Sequence, residues 1–172
     1  LNSSIALLLK IIGLLLGYGY FLLVTTRSGA EAWGIFALCL ALLNIVSIFG
    51  KLGVDMAILK FVASLNDKLN QVKGLYFQGL TIVLISSSLI SIVLYLSSDI
   101  IASVIFNNKG LGKLFKYISF AIIPFSIICV NEQTLRGLKK IFHFSFLQHI
   151  SKFLFSFIFF FIFINMNNSE IN

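Results

Sequence analysis

Long apolar stretches separated by short polar connections form the main pattern of this chain. Crossing the roughly 30 Å hydrocarbon core of a bilayer takes about 20 helical residues. Five stretches reach that length, at 5–24, 33–64, 75–96, 117–135 and 144–164. None of them alternates with the period of two that membrane β-barrel strands show. The pattern predicts an all-α polytopic bundle of about five transmembrane spans in a single transmembrane domain.

Composition agrees with a membrane protein and excludes several other classes. Of the 172 residues, 59% are hydrophobic and 11% are charged, which is too apolar for a soluble domain. Cys39 and Cys129 lie in apolar stretches without metal-ligand spacing, so neither a disulfide nor a zinc site is expected. The net charge of +7 comes from residues in the connections rather than from a basic water-exposed face. We therefore expect no nucleic-acid partner and no cofactor.

The distribution of basic residues predicts the orientation in the membrane. The connections after spans two and four hold seven, namely Lys51, Lys60, Lys68, Lys73, Arg136, Lys139 and Lys140. The connections after spans one and three hold four, namely Arg27, Lys109, Lys113 and Lys116. Because connections rich in Lys and Arg stay on the cytoplasmic side, the N-terminus is predicted to be cytoplasmic. Apolar residues at helical spacing within 97–112 further predict a short interfacial helix on the outer face.

The first span carries a stripe of small and polar residues. Lys10, Gly13 and Gly17 fall on one helix face together with Ala6 and Tyr20. Glycines four residues apart let a second backbone approach closely, so this stripe is predicted to face protein or a cavity. Lys10 lies about 7 Å inside the span at 1.5 Å per residue. Its ammonium either reaches back to the membrane surface or faces a cavity, and both interpretations stay open.

The fifth span carries a second polar stripe. Ser145, Gln148, His149, Lys152 and Ser156 recur at helical spacing. The apolar run after Lys152 is too short to cross a bilayer alone, so the span includes residues before it. Lys152 then lies within the membrane, where a lysine is costly, and a water-filled cavity is favoured over return to the surface.

Two pairs of opposite charges occur near the ends of spans. Glu132 with Arg136, and Lys51 with Asp55, are each four residues apart and so able to pair on one helix face. A plain ion pair at the cytoplasmic interface is the favoured interpretation. Alternatively, Asp55 and Glu132 take part in ion coupling, and Arg136 joins the cations of a binding cavity.

Sequence motifs of enzymes are absent. The chain contains no GxSxG, no HExxH and no P-loop, and its six acidic residues and two histidines form no catalytic constellation. We therefore expect a protein that is not an enzyme and that transports its substrate without covalent chemistry.

Three short motifs resemble a known family. They read GAEAWGIFAL at 29–38, FGKLGVDMAILKFVA at 49–63 and LRGLKK at 135–140. In this order they resemble the start of polysaccharide biosynthesis proteins. That family includes the Wzx-type O-antigen flippases of the MATE-like multidrug/oligosaccharidyl-lipid/polysaccharide exporter superfamily.

The resemblance implies a function and a larger assembly of helices. Such flippases have about twelve to fourteen helices in two bundles, and move undecaprenyl-diphosphate-linked repeat units across the bacterial inner membrane by alternating access. The chain is then expected to be most of the first bundle of a longer protein. Lys10, Lys152 and Arg136 would bind the lipid-linked oligosaccharide. Membrane lipids and polysaccharide polymerase or assembly proteins are the other partners implied.

Alternative functions differ in the features they require. A multidrug or small-molecule exporter of the same superfamily would carry acidic cation sites deep in the first bundle. A membrane enzyme of polysaccharide assembly, such as a polymerase or ligase, would need a long outer loop with catalytic Arg or His. A scaffold protein complete at five spans would need neither.

Overall fold

The computed structural model describes the backbone of residues 2–65 and 68–151, and the side chains of 6–27, 29–65 and 68–150. Every element within these ranges is a helix, which confirms the all-α prediction. The α-helices are α1 (Asn2–Lys51), α2 (Val54–Leu65), α3 (Leu69–Ile100), α4 (Leu111–Gly137) and α5 (Ile141–Phe146). Short π-helical segments, Ile101–Ile105 and Leu147–Ser151, follow α3 and α5.

Four helices within the described residues are long and apolar enough to cross a membrane. They are Ala6–Arg27, Gly29–Lys51, Leu69–Ile105 and Leu111–Gly137. These correspond to the first four predicted spans. Of the predicted fifth span, 144–164, the described part is helical through α5 and the segment after it, and 152–164 lies outside the described residues.

The first two spans are joined by a turn at a single glycine. Gly29 has φ of 85° and ψ of 165°, a conformation that interrupts α1 and that a residue with a Cβ adopts only with strain. Beyond it, the Trp33 ring lies 5.0 Å from that of Phe21 and 6.3 Å from that of Tyr20. Twelve residues of an unbroken helix span about 18 Å, so these contacts require a sharp change of chain direction at Gly29. The first two candidate spans are therefore two distinct helices.

The chain divides into two compact units. The first unit comprises Leu1–Gly34 and Lys140–Asn172, and the second comprises Ile35–Lys139. The second unit is a bundle with three helical parts. The first part is the rest of α1 followed by α2, the second is α3, and the third is α4. Its core consists of three buried apolar clusters, with Phe115, Ile122 and Val130 of α4 as fully buried members.

Two predicted boundaries are wrong. The second predicted span, 33–64, is interrupted, because Leu52 and Gly53 have positive φ of 50° and 74° and separate α1 from α2. The apolar pattern continues through this break and so hides it. The separate outer helix predicted within 97–112 is also absent from this described region, since α3 and its π-helical extension run on to Ile105.

Candidate functional site

In the first unit, the glycine stripe of the first span packs against another helix as predicted. Gly13 is buried, and a Cβ placed on it would lie 2.5 Å from the backbone oxygen of His149 and 2.8 Å from His149 Cβ. Tyr20, two turns further along the stripe, is also buried. Only a residue without a side chain allows two backbones to approach this closely. The stripe therefore faces protein at Gly13 and Tyr20.

Lys10 lies one turn before Gly13 on the same stripe, and it is exposed. Within the described residues of the first unit, its ammonium thus lies beside the helix contact rather than inside it. Lys152 lies outside the described residues, although the segment immediately before it is described. That segment, Leu147–Ser151, is π-helical and contains Gln148 and His149 of the second polar stripe. π-Helical turns inside helices are frequent at functional sites.

In the second unit, the break between α1 and α2 holds a buried acid. Asp55 lies in the first turn of α2 and is 8% exposed, and its Oδ2 is 3.4 Å from the Nζ of Lys51. The predicted pairing of these two residues is confirmed. The positive end of the α2 dipole and the lysine both stabilise the carboxylate. Leu52 and Gly53 create this geometry, because their left-handed backbone ends one helix and starts the next.

The position of Asp55 along α3 follows from the contacts of its neighbours on α2. Val54 and Ile58 both approach Gly79 of α3, so Asp55 lies level with Gly79. Gly79 is four residues inside the predicted start of the third span at 75, about 6 Å at 1.5 Å per residue. Asp55 thus lies beside the first half of α3, and its depth in the membrane stays a prediction.

Glu132 and Arg136 lie near the end of α4 in different surroundings. Glu132 is 5% exposed, whereas Arg136 is exposed in the last turn of the helix. Next to Glu132, α4 is linked to α3, because the Tyr76 hydroxyl of α3 donates a hydrogen bond of 2.7 Å to Asn131 Oδ1. The structure thus places a buried carboxylate and an exposed guanidinium at the same end of the second unit as α2.

Buried serines join the helices of the second unit, and of these Ser86 and Ser126 were not predicted from the sequence, whereas the helix-packing role of Ser91 was. Ser86 Oγ of α3 donates a hydrogen bond to the Gly50 carbonyl of α1. Ser91 Oγ donates a hydrogen bond of 2.6 Å to the Ser119 carbonyl of α4. Ser126 is fully buried near the position where a Cβ of Gly50 would lie. The signal is the recurrence of serine among apolar residues at helical spacing in spans three and four, which is typical of close helix packing in membranes.

The opposite end of the second unit is fixed by an ion pair. Lys116 Nζ of α4 lies 2.7 Å from Asp99 Oδ2 of α3, beside the Tyr95 ring. The buried Gly112 allows this approach, since a Cβ there would lie 2.5 Å from Asp99 Oδ1. Both charged side chains are partly exposed, so the pair orients the two helices more than it stabilises them.

The charged side chains of the two units offer no metal site where they are described. Among the described residues, no group of three His, Cys, Asp or Glu side chains is placed to hold a metal ion. The structure brings Asp55 to Lys51 and buries Glu132 in the same unit, whereas Lys10 belongs to the other unit.

Comparison with known proteins gives one match. The family model described as polysaccharide biosynthesis protein matches residues 1–171. No curated protein and no solved structure matches the chain.

Proposed function

Because the chain belongs to the polysaccharide biosynthesis protein family, we propose that it is part of a flippase for lipid-linked polysaccharide repeat units. The family match over residues 1–171 carries this proposal, and the four candidate membrane spans support it. The proposed substrate is an undecaprenyl-diphosphate-linked O-antigen or polysaccharide unit, and the proposed mechanism is alternating access in the bacterial inner membrane. We further propose that it works beside the polysaccharide polymerase and assembly proteins that use the translocated unit.

The proposed substrate explains the cations on the polar stripes. A lipid diphosphate carries about two negative charges, and moving them through a low-dielectric slab is costly unless cations compensate them. Lys10 lies on the glycine stripe of the first span and Arg136 in the last turn of α4, and each places a positive charge on an exposed residue. With Lys152, they are the proposed substrate-binding residues.

The orientation proposed for the chain agrees with contacts inside the second unit. Val62 of α2 approaches Gly137 of α4, so the connections on either side of these residues lie at one end of the unit. Those two connections are the ones with more basic residues, which favours a cytoplasmic location for that end and for the N-terminus.

A cation-coupled drug exporter of the same superfamily is the competing proposal, and Asp55 is the residue that bears on it. Asp55 is a buried acid of the kind such an exporter requires, and it lies just after the candidate span Gly29–Lys51. Its carboxylate, however, is already neutralised by Lys51 at 3.4 Å. The pair therefore suits a role in ion coupling of a flippase, together with the buried Glu132, better than direct binding of a cationic drug.

Complementation of a deletion strain tests the proposal. The strain is expected to display no repeat unit at its surface, whereas loss of a polymerase would still leave single units displayed. Full-length protein with Lys10→Ala and Lys152→Ala together is expected to restore little polymer, and Lys10→Arg with Lys152→Arg to restore most of it. Lys113→Ala, an exposed lysine of α4, serves as the control for altered charge. Normal polymer from the double alanine variant at equal membrane abundance would refute the assigned role of the two lysines.

A further inference from the structure

A pocket lies at the basic end of the second unit, and Asp55 is not among the residues that line it. It has a volume of about 340 Å³ and is bounded by the end of α2, the start of α3 and the turn after α4. Val62 and Val72 form buried parts of its wall, and Leu69 and Leu138 add further apolar surface. Lys68 and Lys139 also line it, and both are exposed. The pocket thus combines an apolar wall with two accessible ammonium groups.

No acidic side chain lines this pocket among the described residues. The carboxylates described at this end are those of Asp55, which is paired with Lys51, and of Glu132, which is buried. Asp67, the sequence neighbour of Lys68, lies outside the described residues. Basic pockets between helices at the membrane surface are suited to the phosphate of an anionic lipid head group.

The backbone at Lys139 adds a separate observation. Lys139 has φ of 56°, and its N–H donates a hydrogen bond of 3.0 Å to the Arg136 carbonyl. Left-handed backbone after a helix is usually supplied by glycine, and other residues adopt it at a cost. Lys139 lines the pocket and so places a positively charged residue where a neutral glycine would be less strained.

We propose that this pocket binds the phosphodiester head group of an anionic phospholipid, with Lys68 and Lys139 contacting the phosphate. The apolar wall would accept the glycerol and the first methylenes of the acyl chains. At about 340 Å³ the volume is near the lower end of ligand pockets. This volume matches a phospholipid head group better than a whole oligosaccharide on a diphosphate. The bound lipid is therefore a resident of the membrane rather than the transported substrate, and this assignment does not depend on the proposed function.

Native mass spectrometry of the full chain in detergent tests the assignment, with phosphatidylglycerol as the probe and phosphatidylcholine as the zwitterionic reference. Lys139→Gly removes the ammonium while keeping the left-handed backbone, and Lys68→Gln removes the second charge. Each is expected to weaken phosphatidylglycerol binding about 5-fold, and both together more than 10-fold. Lys60→Gln with Lys73→Gln is the matched control, because both lysines are exposed at the same end and neither lines the pocket.

Four results would overturn the assignment. An equal loss in the control variant would show general attraction to a basic surface, and equal binding of phosphatidylcholine would show that charge is not recognised. Displacement by millimolar inorganic phosphate would identify a site for soluble anions. Displacement by a polyprenyl phosphate at lower concentration than phosphatidylglycerol would identify a substrate-loading site. Thermal unfolding of Lys139→Gly and Lys68→Gln is the folding control. Midpoints equal to that of the unmodified protein show that weaker lipid binding does not come from a loss of fold.

Discussion

Replacing Gly13 with alanine tests the closest helix contact in the first unit. The new Cβ would lie 2.5 Å from the backbone oxygen of His149 and 3.0 Å from its carbonyl carbon. A backbone oxygen has no rotamer by which to move away, so the two helices must separate. Gly34 provides the matched control, because it lies in the helix after the turn at Gly29, has no positive φ, and would have nothing within 4 Å of an added Cβ.

The expected magnitude follows from two opposing effects. Reaching ordinary contact at 3.4 Å requires the helices to separate by about 0.9 Å, and a gap of that size forfeits up to about half of each van der Waals contact across the interface. Overpacking of this kind costs about 1–3 kcal/mol. Alanine is favoured over glycine within a helix by about 1 kcal/mol, a gain that both variants share. We therefore expect Gly13→Ala to be less stable than Gly34→Ala by about 1–3 kcal/mol.

The fluorescence of Trp33 is a direct assay. Trp33 is the single tryptophan of the chain and packs against Phe21 and Tyr20 in the first unit. Its emission during thermal unfolding in detergent should give a lower midpoint for Gly13→Ala than for Gly34→Ala, by about 2–4 °C for each kcal/mol. Equal midpoints for the two variants would show that no backbone contact forms at Gly13.

Two further variants test the break between α1 and α2. Asp55→Asn should lower the free energy of unfolding by an amount between about 1 kcal/mol for an exposed ion pair and about 3–5 kcal/mol for a buried one. A double-mutant cycle with Lys51→Gln measures this interaction, and a zero coupling energy would contradict the pairing. Gly53→Ala should cost about 1–2 kcal/mol through its positive φ alone, since nothing lies within 4 Å of the added Cβ. Thermal unfolding of Gly53→Asn, which tolerates this backbone better, should show a smaller loss, and equal losses would argue against the conformational cause.

The sequence predicts the spans because hydropathy reports each helix separately. Spans one, three and four are present, and the structure extends them at one or both ends, for example to Leu69–Ile105 for the third. The break at Leu52 and Gly53 escapes the pattern, because both sides of it are apolar and the helix direction continues. The surroundings of Asp55 are a separate matter. Its burial depends on α3, a helix distant in sequence, so hydropathy alone does not predict it.

Helical spacing predicts which residues of the candidate site contact each other, but it does not predict what the site binds. The Gly13 contact and the pairing of Lys51 with Asp55 follow from spacing and are confirmed. The roles of Lys10, Lys152 and Arg136 in substrate binding, and of Asp55 and Glu132 in coupling, stay predictions. These roles depend on the identity of a ligand. The charges of the residues are compatible with the proposed ligand, but residue spacing does not identify it.

The turn at Gly29 has a consequence for how the protein enters the membrane. With a single residue outside helical geometry between them, the first two spans are joined by almost no connecting chain that must be transferred across the membrane. Arg27 and Glu31 flank that turn, so one charge of each sign would cross together with little net transfer of charge. A protease added to intact vesicles would also find almost no extended substrate at this turn, because cleavage requires several unfolded residues.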